Sequence, residues 1–175
     1  MKKSLWIAIF IAALLFSCAG TDSFLAGSVS QQTQVSMTIV KLGKTGQEIG
    51  VREKEVMTSA DRYAVRIKTE EAGYVYVYNM DSSQNIISLF PNSRYSAKIN
   101  PLKANESFRV PDNDQWLTLD ENTGREDIIL LASKKPLSAQ VCEQIVKTSR
   151  STVGTGDPTP PPPGVTIVNF HFIHQ

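Results

Sequence analysis

The sequence predicts a mainly β fold, a compact antiparallel β-sandwich or half-open barrel with one α-helix. Three observations lead there. Short segments rich in β-branched and aromatic residues alternate apolar with polar positions. Asp-, Asn- and Gly-bearing turns separate them. One segment alone, Leu137 to Lys147, repeats its apolar residues at helical spacing.

The first strand is expected from about Gln34, where Val35, Met37 and Ile39 alternate with Ser36, Thr38 and Val40. Lys41 to Gly50 holds three glycines and reads as a turn region. Ile49 to Met57 mixes apolar and charged residues and is expected to be a second strand. Tyr63, Val65 and Ile67 alternate with Ala64, Arg66 and Lys68, the pattern of a half-buried strand. Gly73 to Tyr78 gives the strongest strand signal, apolar on both faces. After the polar loop Asn79 to Asn85, Ile86 to Phe90 returns as a strand and stops at Pro91, which cannot donate to a ladder.

Asn92 to Asn105 is expected to be irregular, with a basic tip at Arg94 and Lys98. Ser107 to Val110, Trp116 to Leu119 and Asp127 to Ala132 read as three further strands. In the helix, Leu137, Val141 and Ile145 form an apolar stripe, Ser138 is a candidate N-cap, and Leu137 can staple onto Cys142. Cys142 is then a small core hydrophobe. Ser149 to Gly156 reads as flexible, and Pro158 to Pro163 holds five prolines around Thr159, a stiff spacer. That run is read as a spacer rather than as a ligand for a proline-binding groove. Val165 to Ile173 alternates as a final strand, expected to add an edge strand to its own sheet or to pair with another protein. No internal repeat is apparent, which argues against a propeller or solenoid.

The N-terminus gives the address. Lys2 and Lys3 precede a 12-residue apolar run, Leu5 to Phe16. That length suits a secretory h-region of about 7–15 residues and falls short of the roughly 20 needed to span a bilayer. Leu15-Phe16-Ser17-Cys18 resembles the lipobox of bacterial lipoprotein signal peptides. The resemblance implies a lipid on Cys18 and removal of residues 1–17. An ordinary signal peptide or an uncleaved anchor is the alternative. Ala19, by resemblance to known lipoproteins, implies the outer membrane with the domain facing the periplasm. Five parts follow: 1–17 signal peptide, 18–33 flexible tether, 34–148 β-rich domain, 149–164 linker and 165–175 C-terminal strand.

Charge is consistent with an acyl anchor. The chain has 18 basic and 17 acidic side chains, and cleavage would remove Lys2 and Lys3. Such a balance has no pull towards nucleic acid or anionic lipid, so attachment falls to the acyl chains. With Cys18 acylated, Cys142 has no partner for an intramolecular disulfide.

Gly73-Tyr74-Val75-Tyr76-Val77-Tyr78-Asn79-Met80-Asp81, followed by Ile87-Ser88-Leu89-Phe90-Pro91-Asn92, resembles the domain-of-unknown-function 4384 family. Further on come its apolar-Pro step, Val110-Pro111, its Gly-acidic-apolar strand, Gly124 to Leu131, and its exit, Ala132-Ser133-Lys134-Lys135-Pro136-Leu137. The resemblance covers about Ser59 to Leu137. It implies a small β-rich bacterial envelope or accessory domain, free-standing as a lipoprotein or joined to signalling and peptidase modules. No catalytic residues come with it.

Candidate sites are few. Tyr74, Tyr76 and Tyr78 share one strand face. Exposed, they would form a platform for a glycan or peptide; buried, they are core with their hydroxyls at the sheet margin, and this reading is preferred. His171 and His174 stand three apart, which on a strand puts them on opposite faces and prevents joint chelation. Asp112 to Asp114 and Asp120 to Asn122 are rich in oxygen ligands. An EF-hand counted from Asp112 would need Gly and Glu where Leu117 and Thr123 stand. Glu70, Glu71, Glu126 and Asp127 are expected to be solvated or strand-end charges.

No nucleophile elbow, P-loop or zinc-protease motif occurs. The expectation is a non-enzymatic, lipid-anchored binding or scaffolding module of the bacterial envelope, with a protein partner and no cofactor. A sensor binding glycan or peptide on the aromatic face is the alternative, and a hydrolase without recognised motifs the second.

Overall fold

The computed structural model describes residues 33–155 and 161–175, with side chains described outside 151–155. Cys18 and the N-terminal segment lie outside the described residues, as do residues 156–160, which include the first half of the proline run. The strands are β1 (Val35–Leu42), β2 (Glu48–Gly50), β3 (Val56–Met57), β4 (Arg62–Thr69), β5 (Tyr74–Met80), β6 (Ile86–Phe90), β7 (Ser107–Val110), β8 (Leu117–Thr118), β9 (Gly124–Ser133) and β10 (Val165–His174). The helix α1 spans Ala139–Thr155.

The strands form two sheets of five. The first runs β2-β1-β4-β7, with β8 also on β4; the second runs β3-β10-β9-β5-β6. Pairing is antiparallel except between β10 and β3. Among the described residues the fold is a mainly β sandwich with one helix.

Its main core lies between the sheets. Met37, Ile39, Val65, Ile67, Phe108 and Val110 face Val75, Val77, Ile128, Leu130, Ala132 and Phe172. Two ring contacts join the layers. Phe90 tilts on Phe108 at 5.0 Å, and Tyr63 meets Phe172 edge-on at 5.5 Å. A second core lies outside the second sheet, where α1 lays Cys142, Ile145 and Val146 on Tyr76, Tyr78, Met80, Ile129 and Leu131. Ser138 caps α1: its hydroxyl accepts from the Val141 amide at 3.3 Å and its carbonyl from the Cys142 amide at 3.0 Å.

Two glycines are required by contact. A Cβ on Gly73 would meet the Ser133 carbonyl oxygen at 2.8 Å, so the start of β5 admits no side chain. Gly124 opens β9 at φ +128°, and a Cβ there would meet Ser82 Cβ at 2.7 Å. Where β6 does not reach, Asn100 stands in for a strand neighbour. Its amide donates to the Val75 carbonyl at 2.7 Å, and its oxygen accepts from the Val75 amide at 3.0 Å.

Several expectations need correction. Ile49 to Met57 is not one strand: β2 and β3 belong to different sheets, and the turn between them carries the chain across the sandwich. Glu55 shapes that turn, donating its amide to the Arg52 carbonyl at 3.0 Å and accepting the Arg52 amide at 2.9 Å. The helix runs past Lys147 to Thr155, into the segment read as linker. Its buried stripe is Cys142, Ile145 and Val146, and Val141 is exposed. The last strand is not an edge. β10 lies between β9, with ten residues in register, and β3.

Candidate binding face

The two outer sheet faces have opposite fates. On β5, Tyr76 and Tyr78 turn outward and lie buried under α1, while Tyr74 is half-buried. The Tyr76 hydroxyl donates to the Leu137 carbonyl at 3.3 Å and accepts from the Leu137 amide at 2.9 Å. Burial pushes the Tyr76 and Tyr78 hydroxyls and the Cys142 thiol above their ordinary pKa values. The aromatic platform is therefore a covered core surface, a correction to the sensor reading at Tyr76 and Tyr78.

Among the described residues, no helix lies on the outer face of the first sheet. Register sets its side chains in two transverse rows. Lys68 pairs with Ser36 on one side and Ser107 on the other; Arg66 pairs with Thr38 and Arg109. Neighbouring strands lie about 4.8 Å apart, and residues two apart along a strand about 6.7 Å, so the six side chains fall within roughly a 10 Å square. They line an open hollow of about 380 Å³.

Charge within it is uneven. Glu48 of β2 pairs with Arg66 and lies 3.2 Å from Arg109 Nε. Arg109 is fixed further: it donates to the Pro111 carbonyl at 2.6 Å, and its guanidinium lies 4.2 Å from the centre of the Trp116 ring. Arg66 stays more than half exposed. Lys68 is exposed, and among the described residues its ammonium and the hydroxyls of Ser36, Thr38 and Ser107 have no hydrogen-bond or ion-pair partner. Two rows of cations and unengaged hydroxyls with one carboxylate leave a net positive, hydrogen-bonding surface.

The remaining candidates are built into the structure. Glu126 and Asp127 are buried, not solvated, because β9 begins at Gly124 and turns Glu126 into the sandwich and Asp127 under α1. Asp127 accepts from Arg125 Nη2 at 2.6 Å and lies 3.2 Å from Arg150 Nε. Arg150 also donates to the carbonyls of Asp81 and Arg125, tying α1 to the end of the second sheet. Glu126 faces the inter-sheet space and accepts one bond, from Asn79 Nδ2 at 3.1 Å. Burial raises its pKa to about 7; the Asn79 bond opposes the shift, and the carboxylates of Asp81 and Asp120 add to it.

The histidines serve separate contacts. His171 Nδ1 lies 3.0 Å from Glu53. His174 donates from Nδ1 to the Asn122 carbonyl at 2.9 Å, and its Nε2 meets the Ser59 hydroxyl at 2.9 Å. Among the described residues, no group of three His, Cys, Asp or Glu is placed to hold a metal ion. Asp112 and Asp120 shape turns, accepting the Ala97 and Asn122 amides at 2.8 Å each. At the expected basic tip, Arg94 stacks on Tyr95 while Lys98 folds back onto Glu106 and Phe108.

Sequence reasoning missed the two rows. Their signal was present in the polar half of each alternation, Ser36 and Thr38 on β1 and Arg66 and Lys68 on β4.

Residues 58–136 match the family model described as a domain of unknown function (DUF4384). No curated protein and no solved structure matches the chain. The matched stretch supplies β4 to β9; β1, β2 and β3 come before it, and α1 and β10 after it. Its two motif glycines are Gly73 and Gly124, whose side-chain space is occupied. The Asn of Phe90-Pro91-Asn92 closes the end of β6, donating to the Ser88 carbonyl at 2.7 Å. The rows draw on both parts, with Ser36 and Thr38 outside the match.

Proposed function

We propose that this chain is a lipid-anchored, non-enzymatic binding module of the bacterial cell envelope. Cys18 carries the anchor, the domain faces the periplasm from the outer membrane, and the partner lies against the outer face of the first sheet. One observation carries the reading. Two sheets of one sandwich differ in cover: α1 closes the outer face of the second, and the outer face of the first presents unengaged polar groups. The lipobox-like Leu15 to Cys18 supports the anchor, and no helix among the described residues is long and apolar enough to cross a membrane.

A photo-reactive residue at Thr38 tests it in intact cells. The expected result is a crosslinked adduct in the membrane fraction, absent when the probe sits at exposed Gln140 on α1. Cys18→Ala should release or mis-sort the protein. Adducts at neither position, or a mature protein without added lipid mass, would refute the proposal.

A further inference from the structure

The hollow on the first sheet has a chemistry that selects among ligands. Ligand sites of about 300–1,000 Å³ bind largely through apolar area and fix orientation through a few placed polar groups. At about 380 Å³ this hollow lies in that range; six polar side chains stand over it, and Ile67 and Phe108 complete its lining. One row reads hydroxyl, ammonium, hydroxyl: Ser36, Lys68, Ser107. The next reads hydroxyl, guanidinium, guanidinium: Thr38, Arg66, Arg109.

The two kinds of group ask for two features in one ligand. The Lys68 ammonium, which no group among the described residues engages, is a three-donor point charge and favours an anion over a neutral acceptor. Serine and threonine hydroxyls both donate and accept, and they match a partner that also does both. A bare anion would leave the hydroxyls half-used, and a neutral sugar would leave the ammonium unpaired. The flanking row sets a limit. Glu48 already engages Arg66 and Arg109, so the strongest uncompensated charge is at Lys68 and the ligand's anionic groups are spaced, not dense. The Arg109 guanidinium covers one face of the Trp116 ring at the rim.

We infer that this hollow is a binding site for an acidic glycan, a sugar chain bearing carboxylate or phosphate groups. The inference rests on the binding face proposed above and names the class of ligand it takes. The anion lies at Lys68, and neighbouring sugar hydroxyls exchange hydrogen bonds with Ser36, Thr38 and Ser107. Arg66, still exposed beyond its pairing with Glu48, meets the next residue of the chain. A ligand crossing the strands from β1 to β7 would touch both rows.

The test uses the full chain in detergent micelles, isotope-labelled and titrated with three probes: oligogalacturonate, a phosphorylated oligomannoside and neutral dextran. The expected result is that at least one acidic glycan shifts the amide resonances of Ser36, Thr38, Lys68 and Ser107, and that dextran does not. The tighter acidic probe identifies the anion as carboxylate or phosphate. Lys68→Glu should weaken binding at least about tenfold, the size expected for losing one charged hydrogen bond. Ser36→Ala with Ser107→Ala should weaken it about threefold or more. Both variants change exposed residues, and an unchanged amide spectrum elsewhere shows that they fold. No response to either acidic probe, equal response to dextran, or binding indifferent to Lys68→Glu overturns the inference. If the glycans fail while the Thr38 crosslink still forms in cells, the ligand class falls and the binding face stands. If both fail, the face itself is wrong.

Discussion

The outer faces of the two sheets are built from the same alternating strands and end in opposite states. β5 and β9 turn Tyr76, Tyr78, Ile129 and Leu131 outward, and an apolar face of that kind must be covered. α1 covers it, and the buried Asp127–Arg150 contact anchors the helix. β1, β4 and β7 turn Ser36, Thr38, Arg66, Lys68, Ser107 and Arg109 outward, and solvent is cover enough. The contrast separates structural residues from those free to bind. The tyrosines that stand out in the sequence are structural, and the ordinary-looking serines and lysine are available.

The contrast can be broken most severely from below. Truncation after Ser151 removes β10, which pairs with β9 along its whole length and supplies Phe172 to the core. The truncated chain should show no cooperative thermal transition by circular dichroism. Next comes a matched pair of single changes. Ile129→Asp, under α1, should cost more than about 4 kcal/mol by burying an unpaired charge, whereas Thr38→Asp on the bare face should stay within about 0.5 kcal/mol. Denaturant titration reads both. Equal costs would mean that the two faces are not differently covered.

Between these extremes stands Glu126. Its carboxyl is raised from 4.5 to about 7, so the fold favours the protonated form. The resulting stabilisation is complete below pH 4.5 and is lost as pH rises through about 7. Glu126→Gln keeps the protonated form's shape without its charge. The variant should melt higher than the parent at pH 8, with the gap closing towards pH 4.5. A gap independent of pH would place Glu126 in water. The smallest expected effect is that of Lys68→Glu on stability, within about 0.5 kcal/mol by denaturant titration.

Much of this fold was legible because period two is a local property. β1 and β4 were visible as alternating runs, β5 as a β-branched and aromatic run apolar on both faces, and Pro91 marked the end of β6. What was not legible depends on distant partners. Nothing in Ile49 to Met57 says that its two ends join different sheets. The extra turns of α1 contain Thr148 and Ser149, poor helix formers. Their hydroxyls bond back to the Gln144 and Ile145 carbonyls at 3.0 and 2.7 Å, and Arg150 reaches the buried Asp127. The interior place of β10 depends on β3, a two-residue strand with little signal of its own. The candidate binding face failed to show for the same reason. Alternation says that Ser36, Lys68 and Ser107 face outward, but only register puts them side by side.

The central claim is that one outer sheet face is closed and the other open. Solvent paramagnetic relaxation measures this most directly. A neutral soluble relaxation agent added to the labelled full chain should strongly broaden side-chain resonances of Ser36, Thr38, Lys68 and Ser107. It should leave Tyr76, Tyr78, Ile129 and Leu131 sharp. Comparable broadening of the two sets, or protection of the first, would contradict the account.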